Sequence, residues 1–146
     1  MHALRFMLLS VALAIAPIAA QATDKVHRVA IQVDVNDPAV MNLALNNASN
    51  IASQYASAGE TAQIEIVTYG PGLNMLRDDT SPVKARVTAM KQSIPTLSFA
   101  ACAVTKRGME KSEGHEITII PEATVVPSGA IRLVELQEQG WSYLKP

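Results

Sequence analysis

What most constrains the fold of this chain is a regular alternation, from residue 27 onward, of short β-branched runs with runs of helical period. Residues 27–35 (HRVAIQVDV) open it, with Val29, Ile31, Val33 and Val35 at every second position, the period of a strand. Asn36-Asp37-Pro38 then reads as a helix start, Asp37 as N-cap and Pro38 at the first helical position. The helix runs to about Ala58 and stops at Gly59. Val40, Ala44, Leu45, Ala48, Ile51, Ala52 and Tyr55 fall on one face and are the expected core side. Asn42, Asn46 and Asn50 stack at a spacing of four, as a solvated edge or a polar subunit contact.

The same logic carries on along the chain. Residues 63–69 (QIEIVTY) form a second strand that ends in the turn Gly70-Pro71-Gly72. A short helical turn at 73–76, an acidic loop at 78–82 and a helix at 83–92 follow. A third strand lies within 93–101, around Leu97-Ser98-Phe99, and a short helix at 105–111. Residues 115–120 (HEITII) are β-prone and end at Pro121; Val125-Val126 is part of another strand or a loop edge. Ser128 caps a helix over 130–139, and residues 141–144 are a last short strand. Strands alternating with helices predict an α/β fold with a mostly parallel sheet of about five strands, covered on both faces.

The first residues stand outside this pattern. Residues 6–16 (FMLLSVALAIA) carry no charge, follow a start whose one base is Arg5, and lead through Pro17 to the small-x-small site Ala20-Gln21-Ala22. That order is a secretory signal, residues 1–22, cleaved before Thr23. The other reading is a membrane anchor that stays attached. The apolar run is shorter than the roughly 20 residues a bilayer span takes, and no cysteine follows it to carry a lipid. Residues 23–146 then form one domain, large enough for its own core, in the periplasm or secreted. No second apolar span exists, so no membrane contact is expected after cleavage. With 12 basic and 13 acidic residues and no basic stripe, the chain has no footprint for nucleic acid.

Exported proteins usually pair their cysteines, and this chain has one, Cys102. It falls where the third strand ends and a helix begins, the position where ligands sit in open α/β sheets. Backbone N–H groups at a helix start stabilise a thiolate. Lys106 and Arg107 add positive charge one turn on, and the small neighbours Ala100, Ala101 and Ala103 leave room for a bulky reactant. A small, inert core residue is the other reading. His27 and His115 lack the close spacing of a metal motif, with or without Cys102. No G-x-S-x-G, P-loop or G-x-G-x-x-G pattern occurs, and nothing marks a base for a hydrolytic nucleophile. No metal or cofactor is expected. Asp78-Asp79 and Glu110, Glu113 and Glu116 read as solvated, Met75, Met90 and Met109 as packing, and Trp141 and Tyr143 as a clamp on the last strand.

Three segments resemble the DsrE/DsrF-like family of small sulfur-relay proteins, in particular its exported branch. They are Tyr69-Gly70-Pro71-Gly72-Leu73; Phe99-Ala100-Ala101-Cys102 with Thr105 and Arg107-Gly108; and Val126-Pro127-Ser128-Gly129-Ala130-Ile131-Arg132 through Glu135-Leu136-Gln137 to Gly140-Trp141-Ser142-Tyr143. The resemblance implies a three-layer α/β/α sandwich, a homo-oligomer (trimer or hexamer), and a cysteine, here Cys102, that accepts sulfur as a persulfide and hands it on. It implies a thiol-bearing protein partner or a small sulfur donor. The family's relay members work in the cytoplasm, often with sister subunits, whereas this chain carries an export signal. The reading is therefore a periplasmic sulfur carrier rather than a turnover enzyme, with Cys102 as nucleophile and Arg107 and the helix start stabilising its thiolate. The alternatives are a non-catalytic oligomeric binding or scaffold protein of the same fold and a thiol-based redox sensor.

Overall fold

The structure, a computed structural model, describes residues 25–146; the predicted signal, residues 1–22, lies outside them. Five strands, β1 (Val26–Val33), β2 (Thr61–Thr68), β3 (Leu97–Cys102), β4 (Ala123–Val126) and β5 (Ser142–Leu144), form one sheet in the order β4-β3-β2-β1-β5. Every neighbouring pair is parallel. The helices are α1 (Pro38–Ser57), α2 (Lys84–Ser93), α3 (Ala103–Glu113) and α4 (Gly129–Glu138), with a 3-10 helix at Gly70–Leu76 between β2 and α2. This is the α/β fold with helices on both faces that the alternation predicts.

The two faces differ. Alternation along β1 to β3 aims Ile31, Val33, Ile64, Ile66, Leu97 and Phe99 to one side, where they meet α1, the 3-10 helix, α2 and Met109 of α3 in the main core. The other side presents Ala30, Val67 and Ala100, and α4 alone covers them with Leu133 and Leu136. Tyr69, Val126 and Trp141 close the edges of this thinner layer, so Trp141 does pack at the end of the sheet.

α1 starts as its sequence predicts. The Asp37 carboxylate accepts from the Ala39 N–H at 2.8 Å, and Pro38 occupies the first turn. The buried face carries Met41, with Ala44, Leu45 and Ala48, rather than Val40. Asn42 and Asn46 have a partner within the chain: the Arg86 guanidinium of α2 donates to both side-chain oxygens, at 2.6 and 2.5 Å, and so staples α2 to α1.

The β-prone run 115–120 is not a strand. The free edge of β3 is taken by β4, leaving that run only a single antiparallel bridge between Ile119 and Arg77. Ile117 and Ile120 are nonetheless buried, and the segment is tied to the end of the 3-10 helix by Ile120 N–H to Leu76 and Asp78 N–H to Thr118. Its hydrophobicity serves packing, not a ladder.

Candidate functional site

The chain leaves β3 and β4 in opposite directions. From β3 it enters α3, on the main-core side; from the adjacent β4 it enters α4, on the far side. Neighbouring parallel strands whose connections part in this way open a crevice at their carboxyl ends, where α/β proteins place their ligands. Cys102 is the last residue of β3, paired with Val126, the last residue of β4. It therefore sits at that point, with a helix start on either hand.

Cys102 is itself the N-cap of α3, its Sγ accepting the Thr105 N–H at 3.5 Å. Burial pushes the thiol pKa up. Hydrogen bonds from the Thr105 hydroxyl and from the N–H groups of Gly129, Thr105 and Val104 outweigh it, and the thiol lies below its ordinary value. Gly129 is the first residue of α4, capped by Ser128, whose hydroxyl accepts the Ile131 N–H at 3.4 Å. The sulfur thus sits between the N-termini of two helices, bonded by the Thr105 N–H of α3 and flanked by Gly129 of α4.

Glycine at 129 is what allows this approach. A Cβ there would lie 2.9 Å from the Tyr69 Cβ and 3.3 Å from the Cys102 Cβ. Tyr69 forms the wall beyond. It packs against the α4 layer near Gln32, Asp34, Tyr143 and Lys145; burial, then the Asp34 charge, holds its hydroxyl protonated above the usual range. Those neighbours are linked: Tyr143 donates to Gln32 at 2.6 Å, Gln32 to Asp34 at 2.9 Å, and Lys145 to Asp34 at 2.8 Å. The Lys145 hydrogen bond, against some burial, keeps the Asp34 carboxyl below its normal pKa.

On the main-core side, the Thr105 hydroxyl also accepts the Gly70 N–H at 2.9 Å, tying the start of the 3-10 helix to α3. Thr105 borders an open groove of about 490 Å³ with Gly70, Asn74, Arg77, Gly108 and Ser112.

The structure separates the predicted site residues. Cys102 is where the strand-to-helix reading puts it, but it is only 4% exposed, with Gly129 at the start of α4 packed against it where its alanine neighbours suggest open space. Arg107 is exposed on α3, and the hydrogen bonds that lower the thiol come from other groups. Lys106 is engaged with Glu110 on the same helix. His27 lies at the opposite, amino end of β1, stacked on Tyr55 at 3.6 Å and 2.7 Å from Glu60. His115 lies past the end of α3, near Glu113. Among the described residues, no group of three or more His, Cys, Asp or Glu is placed to hold a metal ion.

Gly129, Thr105 and Tyr69 are the site members that reasoning about a single strand end misses. All three stand in the family-like segments, and the fold brings those segments together around one sulfur.

Residues 28–146 match the model of the DsrE/DsrF-like family. The chain is also similar to the solved structure of a protein of unknown function from Methanobacterium thermoautotrophicum. The two share 29% identity with a TM-score of 0.70, over 82% of this chain and 99% of that one. No curated protein matches the chain.

Proposed function

This chain belongs to the DsrE/DsrF-like family, and we propose that it carries sulfur as a persulfide on Cys102. The observation that carries this reading is that two helices begin at Cys102, α3 with its Thr105 N–H on Sγ and α4 with Gly129 alongside, an arrangement that favours the anionic form of a thiol that burial alone would keep neutral. A persulfide terminus is likewise an anion and is held by the same N–H groups. In the first step the thiolate attacks the outer sulfur of a polysulfide or thiosulfate. A new S–S bond forms, the donor's S–S bond breaks, and the shorter polysulfide or sulfite leaves with the electron pair. In the second, a thiolate of the acceptor attacks the outer sulfur, takes it, and restores the Cys102 thiolate. Exposure of only 4% favours a small inorganic donor over a bulky one. Arg107, exposed one turn along α3, is the residue proposed to draw an anionic donor to the mouth.

The same burial is the one observation that favours a second reading, a structural thiol in a non-catalytic scaffold. Intact mass after incubation with polysulfide separates the two. The expected result is addition of one or more sulfur atoms to the native protein and none to Cys102→Ala. A native protein that stays unmodified, with Cys102 also inert to alkylation, would favour the scaffold.

We further propose that the mature protein works outside the cytoplasm, on the strength of the charge-free run and small-x-small site in residues 1–22. The full chain expressed in a bacterial host should appear in the periplasmic extract with a mass that starts at Thr23. Recovery only in the cytoplasm, with Met1 retained, would sink this.

A further inference from the structure

Resting on the reading of Cys102 as a thiolate, we infer that the Glu65–Arg132 ion pair is a positioning device: it fixes the first turn of α4, and so the helix start at Gly129, beside Cys102. Glu65 is 7% exposed in β2, the middle strand of the sheet, on the α4 face. Arg132, one turn after Gly129, meets it with a two-pronged contact, Nε and one terminal nitrogen each donating to a carboxylate oxygen at 2.7 Å.

A charged pair is an odd choice for stability there, because well-packed apolar residues at such a place are often as stabilising. What the pair supplies is direction. The other anchors of α4 are Leu133 and Leu136 on Ala30, Val67 and Ala100, small surfaces over which a helix can slide or roll. A guanidinium fork on a carboxylate has one favoured geometry, and lysine or an apolar residue does not reproduce it. The tolerance at the other end of that turn is small: Gly129 passes so close to Tyr69 and Cys102 that even a Cβ there would crowd both.

The test is the pH profile of Cys102 alkylation in the folded protein. Removing Arg132 alone would strand Glu65 and change the field at the sulfur, so the main variant is the double Glu65→Gln, Arg132→Gln, which leaves the net charge unchanged. The other charged groups near this end of the fold, Lys106 and Arg107 on α3 and Asp34 and Lys145 beyond Tyr69, are untouched, as is Tyr69 itself. The loss of one helix-terminus contact predicts an upward shift of the thiol midpoint by about half a pH unit, or about threefold slower alkylation below the midpoint. Arg132→Lys keeps the charge without the fork, should shift the midpoint the same way, and decides the matter if the double variant does not fold. An unchanged midpoint in the folded variants would overturn the inference. Persulfide formation on the native protein is a separate readout: its absence would count against the sulfur-carrier reading and leave the positioning role standing on the titration.

Discussion

Gly72→Ala is expected to unsettle this protein more than any other single methyl group. The added Cβ would lie 2.3 Å from the Val33 carbonyl oxygen, 2.6 Å from its carbon and 2.8 Å from the Asp34 Cα. These are backbone atoms at the end of β1, the strand between β2 and β5, so no side chain can swing aside. The 3-10 helix would have to lift off the sheet, taking buried Leu73, Met75 and Leu76 with it. Overpacking that is relieved only by moving backbone costs about 3 kcal/mol or more, which for a domain of this size lowers Tm by about 10 °C. The consequence reaches the sulfur, because the Gly70 N–H at the head of the same helix is bonded to the hydroxyl of Thr105, whose own N–H bonds to Cys102 Sγ. Thermal unfolding followed by circular dichroism, with the alkylation rate of Cys102, checks both. Gly108→Ala is the control: nothing lies within 4 Å of a Cβ there, and alanine is the better helix former. A Gly72→Ala protein that melts within about 2 °C of the native one would refute the account.

Arg77→Ala is the second. The Arg77 side chain is 7% exposed and holds two carboxylates: Nε and one terminal nitrogen on Asp79, both terminal nitrogens on Glu113, at 2.6 to 2.9 Å. It joins the end of the 3-10 helix to the end of α3, and its backbone pairs with Ile119. Removing one partner of a buried pair typically costs 3–5 kcal/mol; because both carboxylates keep contact with water, about 2 kcal/mol is expected here. The loss should depend on pH. Hydrogen bonds from Arg77 hold the Asp79 carboxyl down to about 2, and they lower Glu113 as well. Both groups therefore bind protons less readily folded than unfolded. The stability they contribute is full above roughly pH 4.5 and fades as pH falls toward about 2. Native and Arg77→Ala proteins should differ most in Tm near pH 6 and converge near pH 2–3. A difference that stays constant across that range would show that the arginine acts through packing alone.

Much of the scaffold is legible along the chain because its signals are local. Asp37-Pro38 starts α1 and Ser128 caps α4 through contacts only a few residues away. The alternation of Val29, Ile31 and Val33 marks a strand whatever its neighbours are. Local signals fail where two segments compete for one partner. Residues 115–120 have strand chemistry, but β4 holds the edge of β3. The acidic residues 79 and 113 look solvated in sequence, and only the fold sets Arg77 between them. Asn42 and Asn46 look like an open edge until α2 brings Arg86 to them.

The sequence by itself determined that the one cysteine stands where a strand hands over to a helix, because strand alternation and helix capping are encoded within a few residues. It also supplied the family-like segments. Only the tertiary structure decided what surrounds the sulfur. Parallel pairing sets the ends of β3 and β4 side by side, α3 and α4 part to opposite faces, and a distant glycine at the start of α4 arrives beside the same cysteine. It also left Arg107 in solvent and buried, beside the start of α4, a thiol whose small sequence neighbours promise open space. Sheet order and helix placement act over long separations, and no local period records them.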